Sequence, residues 1–217
     1  MIEMQRDTNI LIAELVGDLK PVRPMRFTHG LGLALGGLVV TGTLVWRLFG
    51  LRADVLGGDL DPVFMIATGL FFLLGLAASV TTIVMSRPRV GNDHSGWKWA
   101  AAMTALLPLA AIASGASRGT LGLTGTDAAH GFDCLLAGSA LALLTFGVLV
   151  MWLRRGAPTS PERAGLLAGI AAGSFGIFAF SFHCGSNDIV HIGIWHGGVV
   201  LVSALAGRFA VPPLIRW

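Results

Sequence analysis

Six apolar runs, each of about the length needed to cross a bilayer, fill nearly all of this chain beyond its first thirty residues. Roughly 18 to 25 apolar residues carry a helix through about 30 Å of hydrocarbon. The runs over 31–49, 63–85, 99–116, 132–153, 164–182 and 189–211 meet that requirement, the third being short and containing Pro108. In lipid every backbone N–H and C=O must be paired within the protein, which leaves helices or a closed barrel. These runs are continuous and lack the alternation of a barrel strand. The expected fold class is therefore all-α: a polytopic membrane protein of six transmembrane helices preceded by a short amphipathic helix. A mean hydropathy of +0.75 with 12% charged residues fits that class.

The polar first thirty residues precede a full-length span rather than a short apolar region with a cleavage site, so the first span is expected to stay as an anchor. Basic residues then set the orientation. With the N-terminus in the cytoplasm, only Arg47, Arg52 and Arg118 of the fifteen Lys and Arg fall outside. Both termini are expected in the cytoplasm, and the pI near 9.5 reflects contact with an anionic lipid leaflet. No nucleic-acid-binding motif is present, and direct nucleic-acid binding is not expected. Glycines four apart, at Gly32 and Gly36, at Gly165, Gly169 and Gly173, and at Gly193 and Gly197, are read as close helix packing, within one bundle or between copies.

The chain divides into a cytoplasmic segment, 1–28, and a six-helix membrane domain, 29–217. Within the segment, Asp7 or Thr8 is a helix cap and Leu11, Ile12, Leu15, Val16 and Leu19 recur at helical spacing before Pro21. About three turns are marginal alone in water. The polar side carries Glu14 and Asp18 rather than the cations of a membrane-surface helix, so the stripe suits a protein groove, with packing on the chain's own loops as the alternative.

The only two cysteines, Cys134 and Cys184, fall at the same expected outer face. In an oxidising compartment such a pair forms a disulfide if the Cα atoms come within about 7 Å; two unrelated small apolar packers are the alternative. His130, His183 and His191 lie close by in sequence. Thiolate with imidazole suits zinc, copper or soft heavy metals, so Cys134, Cys184, His130, His183 and His191 form the candidate metal set, for transient heavy-metal or zinc binding with no required cofactor. His196, deeper in the last span, is expected to bond across the bundle. No phosphate loop, zinc-protease motif or nucleophile elbow is present, and the span centres hold almost no ionisable groups. An enzyme is not expected. A membrane thiol oxidoreductase and a metal-ion transporter or channel remain the alternatives from other classes.

The head ending Leu19-Lys20-Pro21-Val22-Arg23-Pro24, the Gly50-Leu51-Arg52-Ala53-Asp54 loop with Asp61-Pro62, the Arg154-Arg155-Gly156-Ala157-Pro158 turn, His183-Cys184 and Trp195-His196-Gly197-Gly198 together resemble the NrsF-type anti-sigma factors across essentially the whole chain. The resemblance implies a multi-pass protein of the bacterial inner membrane that negatively regulates an extracytoplasmic-function sigma factor. It implies that the N-terminal segment holds the sigma factor and that Cys134 and Cys184 are sensors of heavy-metal or oxidative stress. The partner-binding residues on that reading are Leu11, Ile12, Leu15, Val16 and Leu19.

Overall fold

The computed structural model describes residues 2–17, 24–87, 96–121 and 123–215, with side chains from Thr8 onward. Helix α1 spans Ile2–Gly17 and α2 spans Phe27–Leu48; a short α3, Ala53–Gly57, leads to α4, Pro62–Met85. Then come α5, Gly96–Arg118, α6, Gly125–Arg155, and α7, Pro161–Ser181. The last span begins with α8, Ile189–His191, widens into a π-turn, Ile192–His196, and continues as α9, Gly197–Ile215. No strand occurs among the described residues. Six helices are long and apolar enough to cross a membrane, which makes this a multi-pass membrane architecture.

Local chemistry explains the boundaries. The Asp61 carboxylate accepts from the backbone N–H of Val63 at 2.7 Å and of Phe64 at 3.3 Å, and Pro62 occupies the first turn of α4. A cap acceptor followed by proline, whose missing N–H has no partner to lose there, fixes a helix start. Pro161 opens α7 in the same way. Gly58 ends α3 at φ 76°, a left-handed conformation that favours glycine.

Helix α7 is the core of the bundle, with α4, α6 and α9 packed around it. Its small residues permit this. Gly165 lies against the backbone of Gly207, and Gly169 and Gly173 lie against Ser203 and Val200 of α9, with no room for a Cβ. Close backbone approach is how membrane helices gain van der Waals contact, since lipid is as apolar as leucine. Gly193 and Gly197 likewise seat the last span on Leu107, Ala111 and Pro108 of α5. Gly32 and Gly36 do not pack within this bundle: both are exposed and a Cβ there would meet nothing in the chain's described residues. Peripheral α2 turns Gly30, Ala34 and Gly37 inward instead, Gly30 onto Trp152 and Gly37 onto Thr145.

Two further differences concern helix ends. Helix α1 starts at Ile2, ahead of the expected cap at Asp7 or Thr8, because 2–6 contains no residue that breaks a helix. Helix α6 starts at Gly125, seven residues before the apolar run, with Asp127 favourably placed in its first turn. The exposed side chains of α1 include Leu11, Ile12, Leu15 and Val16, so the apolar stripe is not covered by the described residues of the chain. Leu19 lies outside the described residues.

Chain alternation leaves the bundle with two ends. At the head end Arg87 Nη2 donates to the Met25 carbonyl at 2.9 Å, and Trp152 Nε1 donates to Ser86 Oγ at 3.1 Å. Ala157 N–H donates to the Ser86 carbonyl at 2.9 Å, and Gly156 lies against that same carbonyl with no space for a side chain. The opposite end, formed by α3, the N-termini of α4, α6 and α8, and the C-termini of α2, α5 and α7, carries both cysteines.

Candidate functional site

Because α6 begins at Gly125, His130 and Cys134 sit one helical turn apart on a formed helix. Cys184 comes from the connection after α7, and His191 from the first turn of the last span. These elements converge. The two sulfurs stand 3.7 Å apart, both as free thiols. His130 Nε2 lies 3.9 Å from each sulfur, and His191 Nε2 lies 3.6 Å from Cys184 Sγ. The four ligand atoms fall within 4.8 Å of one another. Cys134, Cys184 and His191 are buried, whereas His130 is exposed and stacks on His191 with ring centroids 5.2 Å apart.

His183 does not join the set. Its Nδ1 lies 3.3 Å from the Gly50 carbonyl and its ring packs on Phe49 and Phe180. Adjacent in sequence to Cys184, it points to the α2–α3 connection because consecutive residues of an irregular segment face different neighbours. His196 is closer to the site than its sequence position suggests. It is 2% exposed and packs edge-on to His191 at 5.2 Å, and its Nε2 has no hydrogen-bond partner among the described residues. Five residues on an α-helix are about 140° apart around the axis; the wider π-turn swings His196 back toward His191. The paired glycines at 193 and 197 were legible as packing, but nothing in the periodicity signals a π-turn.

A second shell holds the Cys184 segment. Arg52, with a side chain only 7% exposed, donates from Nη1 to the Cys184 carbonyl at 2.8 Å and from Nη2 to Asn187 Oδ1 at 2.9 Å. Its Nε and Nη2 also donate to the two carboxylate oxygens of Asp54, each at 2.6 Å. The guanidinium lies 4.7 Å from the Phe64 ring centroid, and Arg52 N–H donates to the Phe182 carbonyl at 3.0 Å. A planar fork that satisfies a carboxylate and two other acceptors suits arginine and not lysine. The hydrogen bonds from Arg52 hold the Asp54 carboxyl below the usual carboxylate range. Asp188 caps α8 by accepting from His191 N–H at 3.2 Å and pairs with Arg118 at 2.6 Å. Sequence reasoning marked Arg52 as an outer-face basic residue and, with Asp54, as part of a loop that carries the family resemblance; the charged pair two residues apart was the further signal.

The environment acts unequally on the two thiols. Cys184 lies outside the helical spans, and its thiol is pulled well below the ordinary range. The hydrogen bond from Cys134 is the main cause, with the imidazoles of His191 and His196 adding to it against the opposing effect of burial. A thiolate is the nucleophile and the metal ligand, and Cys184, with His191 Nε2 at 3.6 Å and His130 Nε2 at 3.9 Å, has more imidazole contacts than Cys134. Beside it a cleft of about 260 Å³ opens to the outside, lined by His130, His191, Asp127, Asp188, Arg118 and Trp195 among others. Trp195 lies flat on Gly131, where any Cβ would strike the ring. The cluster has the chemistry to exchange a proton, form a disulfide or capture a soft cation, and its two histidines face the cleft.

Comparison with known proteins gives consistent results. The family model described as "NrsF: Negative regulator of sigma F" matches residues 15–217. The chain is similar to the anti-sigma-F factor NrsF of Caulobacter vibrioides, 28% identical over 204 residues that cover 91% of this chain and 90% of that protein. It is also similar to the probable anti-sigma-F factor NrsF of Azospira oryzae, 24% identical over 200 residues covering 91% of each. No solved structure matches.

Proposed function

We infer the function from one premise: the chain belongs to the NrsF family, the negative regulators of sigma F. It is a non-enzymatic anti-sigma factor of the bacterial inner membrane, with head and termini in the cytoplasm. The segment 1–28 holds a sigma factor of the extracytoplasmic-function class, the membrane domain 29–217 senses stress, and Cys134 and Cys184 receive the signal. Arg47, Arg52 and Arg118 sit at the thiol end while the other described basic residues of the bundle sit at the head end, which supports this orientation.

The observation that carries the partner-binding reading is the uncovered stripe of α1. Leu11, Ile12, Leu15 and Val16 are each more than half exposed on a helix that carries Glu14 on its polar side. An amphipathic helix of this kind lays its apolar face into a groove. The occupied sigma factor is kept from RNA polymerase. Leu19 extends the same stripe by its spacing.

Release begins at the sulfurs. A peroxide takes two electrons from the two thiols, an S–S bond forms, and the two thiol protons leave in the water produced; a heavy-metal ion instead binds both sulfurs and displaces their protons. Closing 3.7 Å to a bond of about 2.05 Å pulls the Cys184 segment toward α6. Arg52 ties that segment to the end of α2, and α2 runs back to the head, seated on α6 through Gly30 and Gly37. A bias of about 1.4 kcal/mol between two states gives tenfold release.

The test is co-purification of the full-length protein with candidate sigma factors of the source bacterium. One sigma factor is expected to be retained by the parent protein and lost with Leu11→Asp/Leu15→Asp. Equal retention by both would sink the role of the stripe.

A further inference from the structure

We propose that His130, Cys134, Cys184 and His191 form one four-coordinate site for a divalent, zinc-class cation, so that both histidines are ligands alongside the sulfurs. The inference rests on the reading of Cys134 and Cys184 as the place where the signal is received, and it names the ligand that the same site takes and the donors that hold it.

Donor spacing is the first argument. Metal–sulfur bonds of about 2.3 Å and metal–nitrogen bonds of about 2.0–2.1 Å set tetrahedral edges of roughly 3.8 Å between sulfurs and roughly 3.5–3.6 Å between sulfur and nitrogen. The structure has 3.7 Å between the sulfurs, 3.6 Å from Cys184 to His191, and 3.9 Å from His130 to each sulfur. Four of the six edges are thus near tetrahedral length, and the two from His191 to Cys134 and to His130 lie within 4.8 Å, so a modest inward shift of the His191 ring completes the site. As hydrogen bonds the same contacts cannot all be made at once by the two thiols, since each has a single proton to give.

Charge is the second argument. Two thiolates and two neutral imidazoles carry two negative charges, which a divalent ion cancels, leaving a neutral centre where three of the four donors are buried. A monovalent or trivalent ion would leave a net charge there. Arg52 does not disturb this balance, because its cation is matched by Asp54. Thiolate and imidazole together select borderline and soft ions over magnesium or calcium.

Access is the third. The buried donors meet the outside through His130 and the cleft of about 260 Å³, whose wall includes the carboxylates of Asp127 and Asp188. An arriving cation meets His130 first, then both sulfurs and His191. Binding releases the thiol protons, as capture by thiolates requires.

The experiment uses the full-length, reduced protein in detergent micelles, with Co²⁺ as the spectroscopic probe and Cd²⁺ and Zn²⁺ as competitors. One Co²⁺ per chain is expected, with intense visible bands of a tetrahedral site and a thiolate charge-transfer band, both abolished by Cd²⁺ or Zn²⁺. His130→Gln and His191→Gln should each weaken binding at least tenfold and reduce the tetrahedral bands, and Cys134→Ser/Cys184→Ser should remove the charge-transfer band. His130 is exposed, so His130→Gln tests the inference even if a change at buried His191 disturbs folding. Charge transfer without tetrahedral bands, or His130→Gln binding as tightly as the parent protein, would overturn the four-donor site and leave the two-cysteine sensor standing. Absence of any bound Co²⁺, Cd²⁺ or Zn²⁺ would also overturn it. A site that loads as expected while the ion leaves sigma-factor retention unchanged would instead count against metal sensing and leave the site intact.

Discussion

Arg52 donates a 2.8 Å hydrogen bond from Nη1 to the main-chain carbonyl of Cys184, 132 residues away in sequence, and so ties the Cys184 segment to the connection that follows the first span. The same guanidinium is shared with Asn187 and Asp54 and is almost wholly buried. It is positioned to feel a movement of the Cys184 segment and to pass it to α2.

Arg52→Ala should release this segment. Loss of the hydrogen bonds to the Cys184 carbonyl and Asn187, both from a charged donor, costs about 2–3 kcal/mol. A lower unfolding midpoint in detergent and faster maleimide labelling of Cys184 are expected. Arg52→Lys should behave nearly as badly, because an ammonium cannot serve the forked acceptors together.

The Asp54 carboxyl has a folded pKa below its unfolded one, so its contribution to stability is fully present above the unfolded value of about 3.9 and is lost as pH falls through the folded value. Stability between pH 8 and 5 should not change on account of this group. Below pH 4 the parent protein should lose midpoint temperature along an acid limb that Asp54→Asn flattens; identical limbs in the two proteins would contradict the assignment.

Glycines at equal spacing should respond in opposite ways. Gly169→Val places a side chain against the Ser203 backbone and forces α7 from α9, an overpacking that costs about 1–3 kcal/mol. Gly32→Ala meets nothing and should leave the midpoint within about 0.5 kcal/mol of the parent or raise it slightly, since alanine favours a helix. Thermal unfolding of the two variants checks both.

That contrast shows what the sequence can and cannot say. All six spans were legible because bilayer crossing demands about twenty consecutive apolar residues, a signal local to each segment. Which glycines pack was not, because spacing alone does not reveal which face of α2 turns inward. The distance between Cys134 and Cys184 was likewise illegible: spans four and five are joined at the opposite end, and only the packing of α7 on α6 brings the segment after α7 against α6. His130 beside Cys134 followed from a helix start hidden in polar residues, and His196 beside His191 from a π-turn that has no sequence period. Arg52 was visible as an outer-face cation, but its Cys184 and Asn187 acceptors lie in a distant loop.

Oxidation of the reduced protein by an equivalent of peroxide should close an intrachain disulfide. Two thiols per chain should react with a maleimide before treatment and none after it, with two recovered on reduction. Cys134→Ser should retain one reactive thiol throughout. Intermolecular dimers in place of this pattern would contradict the 3.7 Å pairing of the sulfurs.

The most direct measurement is the binding of the purified cognate sigma factor to the full-length reduced protein in nanodiscs, repeated after peroxide, with the Cys134→Ser/Cys184→Ser variant in parallel. The account predicts tight binding by both reduced proteins, at least tenfold weaker binding by the parent after oxidation, and no change in the variant. Binding that is indifferent to oxidation in the parent, or that weakens equally in the variant, would contradict a switch worked by these two cysteines.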